Sequence, residues 1–170
     1  MNQKPKVAIV IVNWNKKKDV LNLLSSLKSL EYGNYEIIVV DNASTDDSVP
    51  AISDQYPEAE LVVNSENLGG TGGFNTGLKH ASESGRYKYI WLLDNDAEVK
   101  KDTLRELVNA LEADERAGMA GSRIMDPEKR DVTVEAGAYF KWNTVGVLPL
   151  FRNTRNTHTD RNVYEVDYVA

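Results

Sequence analysis

A chain of 170 residues fits one compact domain, since a domain takes roughly 100–200 residues. Its 41% hydrophobic and 27% charged residues exclude wholesale disorder and fibrous classes, and a formal net charge of −6 argues against a nucleic-acid partner, which needs clustered Lys and Arg. The lack of cysteine excludes disulfides and thiolate metal sites, and no run approaches the ~18 consecutive apolar residues of a membrane span.

The first element is Val7-Ala8-Ile9-Val10-Ile11-Val12, a β-branched run without alternation, the pattern of a strand buried on both faces of a parallel sheet. From Asp19 onward, Val20, Leu23, Leu24, Leu27 and Leu30 recur at helical spacing; Asp19 favours the helix N-terminus and Gly33 supplies a stop. The unit repeats. Glu36–Val40 reads as a second buried strand, Asp41–Asp47 as a polar turn, and Ser48–Tyr56 as a helix. Leu61–Val63 makes a third strand. A glycine cluster (Gly69, Gly70, Gly72, Gly73, Gly77) then runs into a helix through Leu78 and Ala81. Tyr87–Leu93 is a fourth buried strand, followed by a helix carrying Leu104, Leu107, Val108 and Leu111 and a strand near Met119–Met125. Strands alternating with helices in this way predict an α/β fold, Rossmann-like, with a mainly parallel sheet and helices on both faces.

Beyond Asp126 the alternation shortens. Val132–Tyr139 and Val145–Leu150 predict a hairpin, Arg152–Asn162 a mobile loop, and Val163–Ala170 a last strand that stops without a cap, as in a truncated chain.

Ligands of open parallel sheets bind outside the carboxyl ends of the strands. Asn13 and Asn15 follow the first strand, Asp41 and Asn42 the second, Asn67 and the glycines the third, and Asp94 and Asp96 the fourth. Each alone reads as a turn or a cap; four successive strand ends read as a binding rim. Asp94-Asn95-Asp96 is the sharpest signal, because two carboxylates two residues apart can point to one side of an extended segment. Hard oxygen ligands of this kind suit Mg2+ or Mn2+, which bind substrate phosphates through only one or two protein carboxylates. The other reading is a capping pair before Leu104.

The glycine segment allows close approach of backbone to a phosphate or sugar. It is neither a Walker loop, since Leu78 stands where Lys is required, nor a dinucleotide fingerprint, since Asn75 stands where Gly is required. Asp41 is a candidate for binding a base or ribose, with an Asx turn into Ala43–Asp47 as the equal alternative. His80 and His158 are too isolated for metal or triad roles; Arg152, Arg155 and Arg161 read either as a basic lid or as a solvated loop. Tryptophans 14, 91 and 142 more often fill cores than stack on ligands, although Trp14 lies on the rim.

Four motifs in this order resemble an inverting family 2 glycosyltransferase of the GT-A type: Val10–Asn15, Ile38–Asp46, Asn67–Gly77 and Trp91–Asp96. The subgroup that looks most similar contains bacterial rhamnosyl- and galactofuranosyltransferases of surface polysaccharides. The resemblance implies a donor-binding region over residues 1–126 and, within the same domain, the start of an acceptor-side region over 127–170. Asn13, Asn15, Asp41, Asn42, Asn67, Gly70, Gly73, Asn75 and Asp94 would contact a UDP- or dTDP-sugar, and Asp96 with Asp94 would hold Mg2+ or Mn2+. The acceptor would be a glycan or lipid-linked, the general base would lie beyond Ala170, and this portion would be inactive alone. The location implied is cytoplasmic, with peripheral contact at the inner face of the membrane. A non-catalytic nucleotide- or sugar-binding module is the alternative, and a nucleotidyltransferase is disfavoured because Asn13–Lys17 lacks a glycine- and arginine-rich loop.

Overall fold

In a computed structural model, residues 4–155 and 163–169 are described. The chain divides into two compact units, Met1–Leu104 and Arg105–Ala170. The first unit contains β1 (Val7–Asn13), α1 (Lys17–Leu27), β2 (Tyr35–Asp41), α2 (Ser48–Gln55), β3 (Glu60–Val63), α3 (Gly69–Glu83) and β4 (Tyr89–Asp94). The four strands form one parallel sheet in the order β3-β2-β1-β4.

The topology explains the layers. β1 to β2 and β2 to β3 step one way across the sheet, whereas β3 to β4 steps back past β1, so right-handed crossovers put α1 and α2 on one face and α3 on the other. On the α3 face, Ala8, Val10, Ile38 and Val40 pack with Ala81. The alternate residues Val7, Ile9, Ile11, Ile37 and Val39 are buried on the opposite face, as are Val20, Leu23, Leu24 and Leu27 of α1. Each buried Val, Leu or Ile side chain contributes about 1.5–3 kcal/mol by burial.

Several boundaries differ from the sequence pattern. α1 ends at Leu27, and Leu30 lies past it, where the Leu30 amide bonds the Leu27 carbonyl. β4 is the edge of the described sheet and is half-buried, with Leu92 42% exposed, instead of covered on both faces. The larger difference is α3, which begins at Gly69, so the glycine cluster is the first half of a helix and not a loop before one. Gly73 and Gly77, one turn apart, are buried on its inner face. A Cβ on Gly73 would lie 2.6 Å from Val12 Cγ1, and one on Gly77 would clash with Val10 Cγ1. Glycine there lets the helix backbone approach β1 and β2 closely.

The second unit, apart from the part of α4 (Thr103–Ala113) that belongs to it, is built of short antiparallel pieces: β5 (Ile124–Met125), β6 (Val132–Glu135), β7 (Ala138–Lys141), β8 (Gly146–Pro149) and β9 (Thr154–Arg155). The expected strand near Met119–Met125 is reduced to two residues, with Met119 72% exposed. The stretch Val132–Tyr139 is broken at Gly137, whose φ of 87° turns the chain, so β6 pairs with β5 and β9 while β7 pairs with β8 as the hairpin. Trp142, at the hairpin turn, is 83% exposed and fills no core. Of the expected last strand, a single bridge from Tyr168 to Ala138 is present among the described residues.

Candidate active site

The sheet order decides where a ligand can enter. The chain reverses direction between β1 and β4, and the crevice outside the carboxyl ends at such a reversal is where open parallel sheets bind ligands. Asn13, Asp41 and Val63 are in register at that edge, and Asp94 pairs with Val12 one step before it.

Asn13 and Asp41 are both fully buried. Asp41 accepts from the Ser44 amide (2.7 Å) on Oδ1, and from the Ser44 hydroxyl (2.7 Å) and Asn13 Nδ2 (2.9 Å) on Oδ2. Asn13 Nδ2 also reaches Ser44 Oγ at 3.3 Å, and Asn13 Oδ1 accepts from Asn95 Nδ2 at 3.1 Å. The Asx turn is therefore real, and it is part of a wider knot. Asn15, with a positive φ of 52°, accepts on Oδ1 from the amides of Thr45 (2.7 Å) and Asp46 (3.2 Å). Asp46 in turn accepts from the amides of Lys17 and Ser48 and from the Ser48 hydroxyl. Burial raises the Asp46 carboxyl, and those donors outweigh it, holding the group below the usual carboxylate value. The loops after β1 and β2 are thus stitched into one rigid ledge.

A second chain of bonds anchors the start of α3. Asn42, 1% exposed, donates to the Gly69 carbonyl (2.9 Å) and accepts from Asn64 Nδ2 (2.7 Å); Thr76 donates to Asn64 at 3.3 Å. Asn67 Oδ1 accepts the Gly69 amide at 2.8 Å. Gly70 faces open space and Asn75 is exposed, whereas Gly73 is spent on packing against Val12 and Asn42. These residues are brought to one rim, but Gly73 is not at its surface.

Asp94 and Asp96 contrast with all of these. Both are exposed, and neither side chain has a hydrogen-bond or ion-pair partner among the described residues. Between them, Asn95 turns inward to Asn13. Asp96, Ala97 and Glu98 also line a hollow of about 440 Å3 with Asp19, Asn22, Ser25 and Ser26 of α1. Sequence reasoning missed the α1 side of this hollow; the available signal was the polar i, i+3 row Asp19, Asn22, Ser25. Trp14 is 51% exposed beside the ledge, a flat apolar surface and not core filling.

Other candidates fall elsewhere. His80 bonds Glu60 at 2.7 Å near the start of β3, away from the rim. Arg155 pairs with Asp131 at 3.2 Å, and Arg152 is exposed; His158 and Arg161 lie outside the described residues. Among the described residues no group of three or more His, Cys, Asp or Glu is placed to hold a metal, and no helix is long and apolar enough to cross a membrane.

The family description "Glycosyl transferase family 2" matches residues 8–169. The chain belongs to this family. This family 2 chain is 32% identical over 123 residues to the succinoglycan biosynthesis protein ExoO of Rhizobium meliloti (strain 1021), covering 71% of the chain and 32% of that protein. It is 26% identical over 146 residues to the low-salt glycan biosynthesis hexosyltransferase Agl10 of Haloferax volcanii, covering 84% of the chain and 45% of that protein. Among solved structures, the mannosyltransferase PcManGT of Pyrobaculum calidifontis in complex with GDP-Man and Mn2+ matches with a TM-score of 0.64 and 25% identity, over 89% of this chain and 46% of that one. S. aureus TarS 1-349 in complex with UDP shares the fold, with a TM-score of 0.57 and 24% identity over 64% of this chain and 32% of that one. The mixed α/β architecture with its parallel sheet is that of GT-A glycosyltransferases. The chain spans about a third to a half of the length of these relatives.

Proposed function

We propose that this chain is the donor-binding part of a glycosyltransferase that moves a sugar from a nucleotide-diphosphate sugar to a glycan or lipid-linked acceptor, in the synthesis of bacterial cell-surface polysaccharide. One observation carries the reading: two exposed carboxylates, Asp94 and Asp96, without side-chain partners among the described residues, stand at the sheet reversal beside a ledge whose own polar groups are already satisfied. Acids left bare at a ligand-binding edge suit a cation shared with substrate phosphates, because Mg2+ and Mn2+ keep several waters and need few protein ligands. The mannosyltransferase neighbour, solved with GDP-Man and Mn2+, supports the same assignment.

In this reading the ledge Asn13–Ser44 fixes the shape of the nucleoside pocket, and Trp14 offers its exposed face to the base. The buried carboxylate of Asp41 acts mainly by holding that ledge, since both its oxygens are engaged. Asn67 and the open Gly70 lie toward the phosphates or sugar, where the N-terminus of α3 favours negative charge. When bound, Mg2+ or Mn2+ would neutralise charge developing on the departing nucleoside diphosphate. Single displacement at the anomeric carbon inverts its configuration; it also needs a general base for the acceptor hydroxyl, a role the family resemblance gives to residues other than these. A UDP- or dTDP-sugar is the proposed donor.

Titration calorimetry with UDP, dTDP and GDP, with and without Mn2+, tests the proposal. Expected is binding of one diphosphate that Mn2+ strengthens at least tenfold. Nucleotide binding without any metal effect would instead favour a non-catalytic nucleotide-binding module, and no nucleotide binding at all would reject the donor-site reading.

A further inference from the structure

Asn95 lies between the two bare acids, and its own side chain is turned away from them. Its Nδ2 donates to Asn13 Oδ1 at 3.1 Å, across the reversal between β1 and β4. The polarity of this bond is dictated from further inside. Asp41 faces three donors, the Ser44 amide and hydroxyl and Asn13 Nδ2, and so acts purely as an acceptor. Asn13 must therefore turn its NH2 toward Asp41 and its carbonyl oxygen toward Asn95, and Asn95 must meet that oxygen with its NH2. Because Asn13 is fully buried and pinned by Asp41 and Ser44, it is a fixed point to which the turn after β4 is tied.

We infer that Asn95 is a positioning residue for the donor site: its bond to Asn13 fixes the turn from which Asp94 and Asp96 project, and so couples the nucleoside ledge to the proposed cation-binding acids. This rests on the donor-site reading. Asp94 is already held as the last residue of β4, and the Ala97 amide donates to its carbonyl at 3.2 Å; without the further tie at Asn95, Asp96 would sample more orientations, and ordering it would be charged against cation binding. With the tie, the order set by folding of the ledge is passed to the acids before any ligand arrives.

The test uses Asn95→Leu, which keeps the branching of the side chain and removes the donor, and Asn95→Ala, which removes the amide without adding a charge beside the acids. Both should melt within a few degrees of the parent, and both should keep the metal-free affinity for the nucleotide within about twofold. The strengthening by Mn2+ should fall about tenfold, an effect a merely structural role would not confine to the metal-dependent term. Unchanged Mn2+ strengthening in both variants, with the parent showing it, overturns the inference alone. Loss of metal-free and metal-dependent binding together overturns it as well, by showing that Asn95 only holds the ledge. If the parent itself shows no Mn2+ effect, the donor-site reading fails and takes this inference with it.

Discussion

Two groups of acidic and amide residues share the carboxyl edge of the sheet and are treated oppositely by the fold. The ledge of Asn13, Asp41, Asn42 and Ser44 is buried or nearly so, and its polar atoms are consumed by one another and by Asn64, Gly69 and Asn95. The segment Asp94–Asp96 leaves both carboxylates exposed and without a side-chain partner among the described residues, while the Asn95 side chain between them is anchored. The first is what stability demands of buried polar groups; the second is neutral to stability and leaves the acids open to a ligand. Strand-end position, which both share, therefore does not separate a residue that builds a site from one that works in it.

The largest expected effect tests the building half. Gly77→Leu should cost about 3 kcal/mol or more, because even a Cβ there clashes with Val10, and α3 would be driven off the sheet. Gly70→Ala, in the same helix but facing open space, should instead stabilise by about 0.5–1 kcal/mol. Chemical denaturation of both variants checks the pair; equal effects would mean that the two glycines do the same job. Next, Asp41→Ala should cost about 2–3 kcal/mol by stranding the Ser44 amide and hydroxyl and Asn13 Nδ2. Asp96→Ala should leave stability within about 0.5 kcal/mol, since no cavity or lost partner results, while removing the Mn2+-dependent part of nucleotide binding. If Asp96→Ala destabilises as much as Asp41→Ala, the contrast between the two groups collapses.

Much of the first unit was legible in the sequence, because β-branched runs such as Val7–Val12 and the stripe Val20, Leu23, Leu24, Leu27 state strand and helix through periodicity alone. Placement of Asn13, Asp41 and Asp94 on one rim followed from strand order. What those residues do to one another did not, since the Asn95–Asn13 bond joins positions 82 apart in sequence and no local pattern encodes it. The glycines were read as a phosphate-approaching loop because spacing cannot distinguish approach to a ligand from approach to Val10 and Val12 of another strand. In the second unit the apolar alternation Val132–Tyr139 hid the break at Gly137, where the chain turns with a φ of 87° and a Cβ would lie 2.6 Å from the Tyr168 carbonyl oxygen.

The smallest effect sharpens the comparison from the opposite edge of the sheet, where acids are neither buried nor bare but paired. Glu36 accepts from Lys6 (2.5 Å) and from the Tyr87 hydroxyl (2.5 Å), with Arg86 at 3.1 Å. The Lys6 bond, then the Tyr87 bond, hold its carboxyl below the ordinary 4.5. A depressed carboxylate stabilises above its unfolded value, and that share is lost as pH falls through the folded one, so acidification below about 4.5 should weaken the fold here. Tyr87 runs the other way: burial first, then its bond to Glu36, push its hydroxyl up from 10.0 to about 12. Its contribution is complete below pH 10 and should disappear as pH rises towards 12. Tyr87→Phe, followed by thermal melts across both ranges, should therefore flatten the alkaline loss and soften the acid one, while leaving the Mn2+ dependence of nucleotide binding at the far edge untouched. A change in that Mn2+ dependence would mean that the two edges are coupled through the sheet, and that the rim acids are not independent of the fold's own charge pairs.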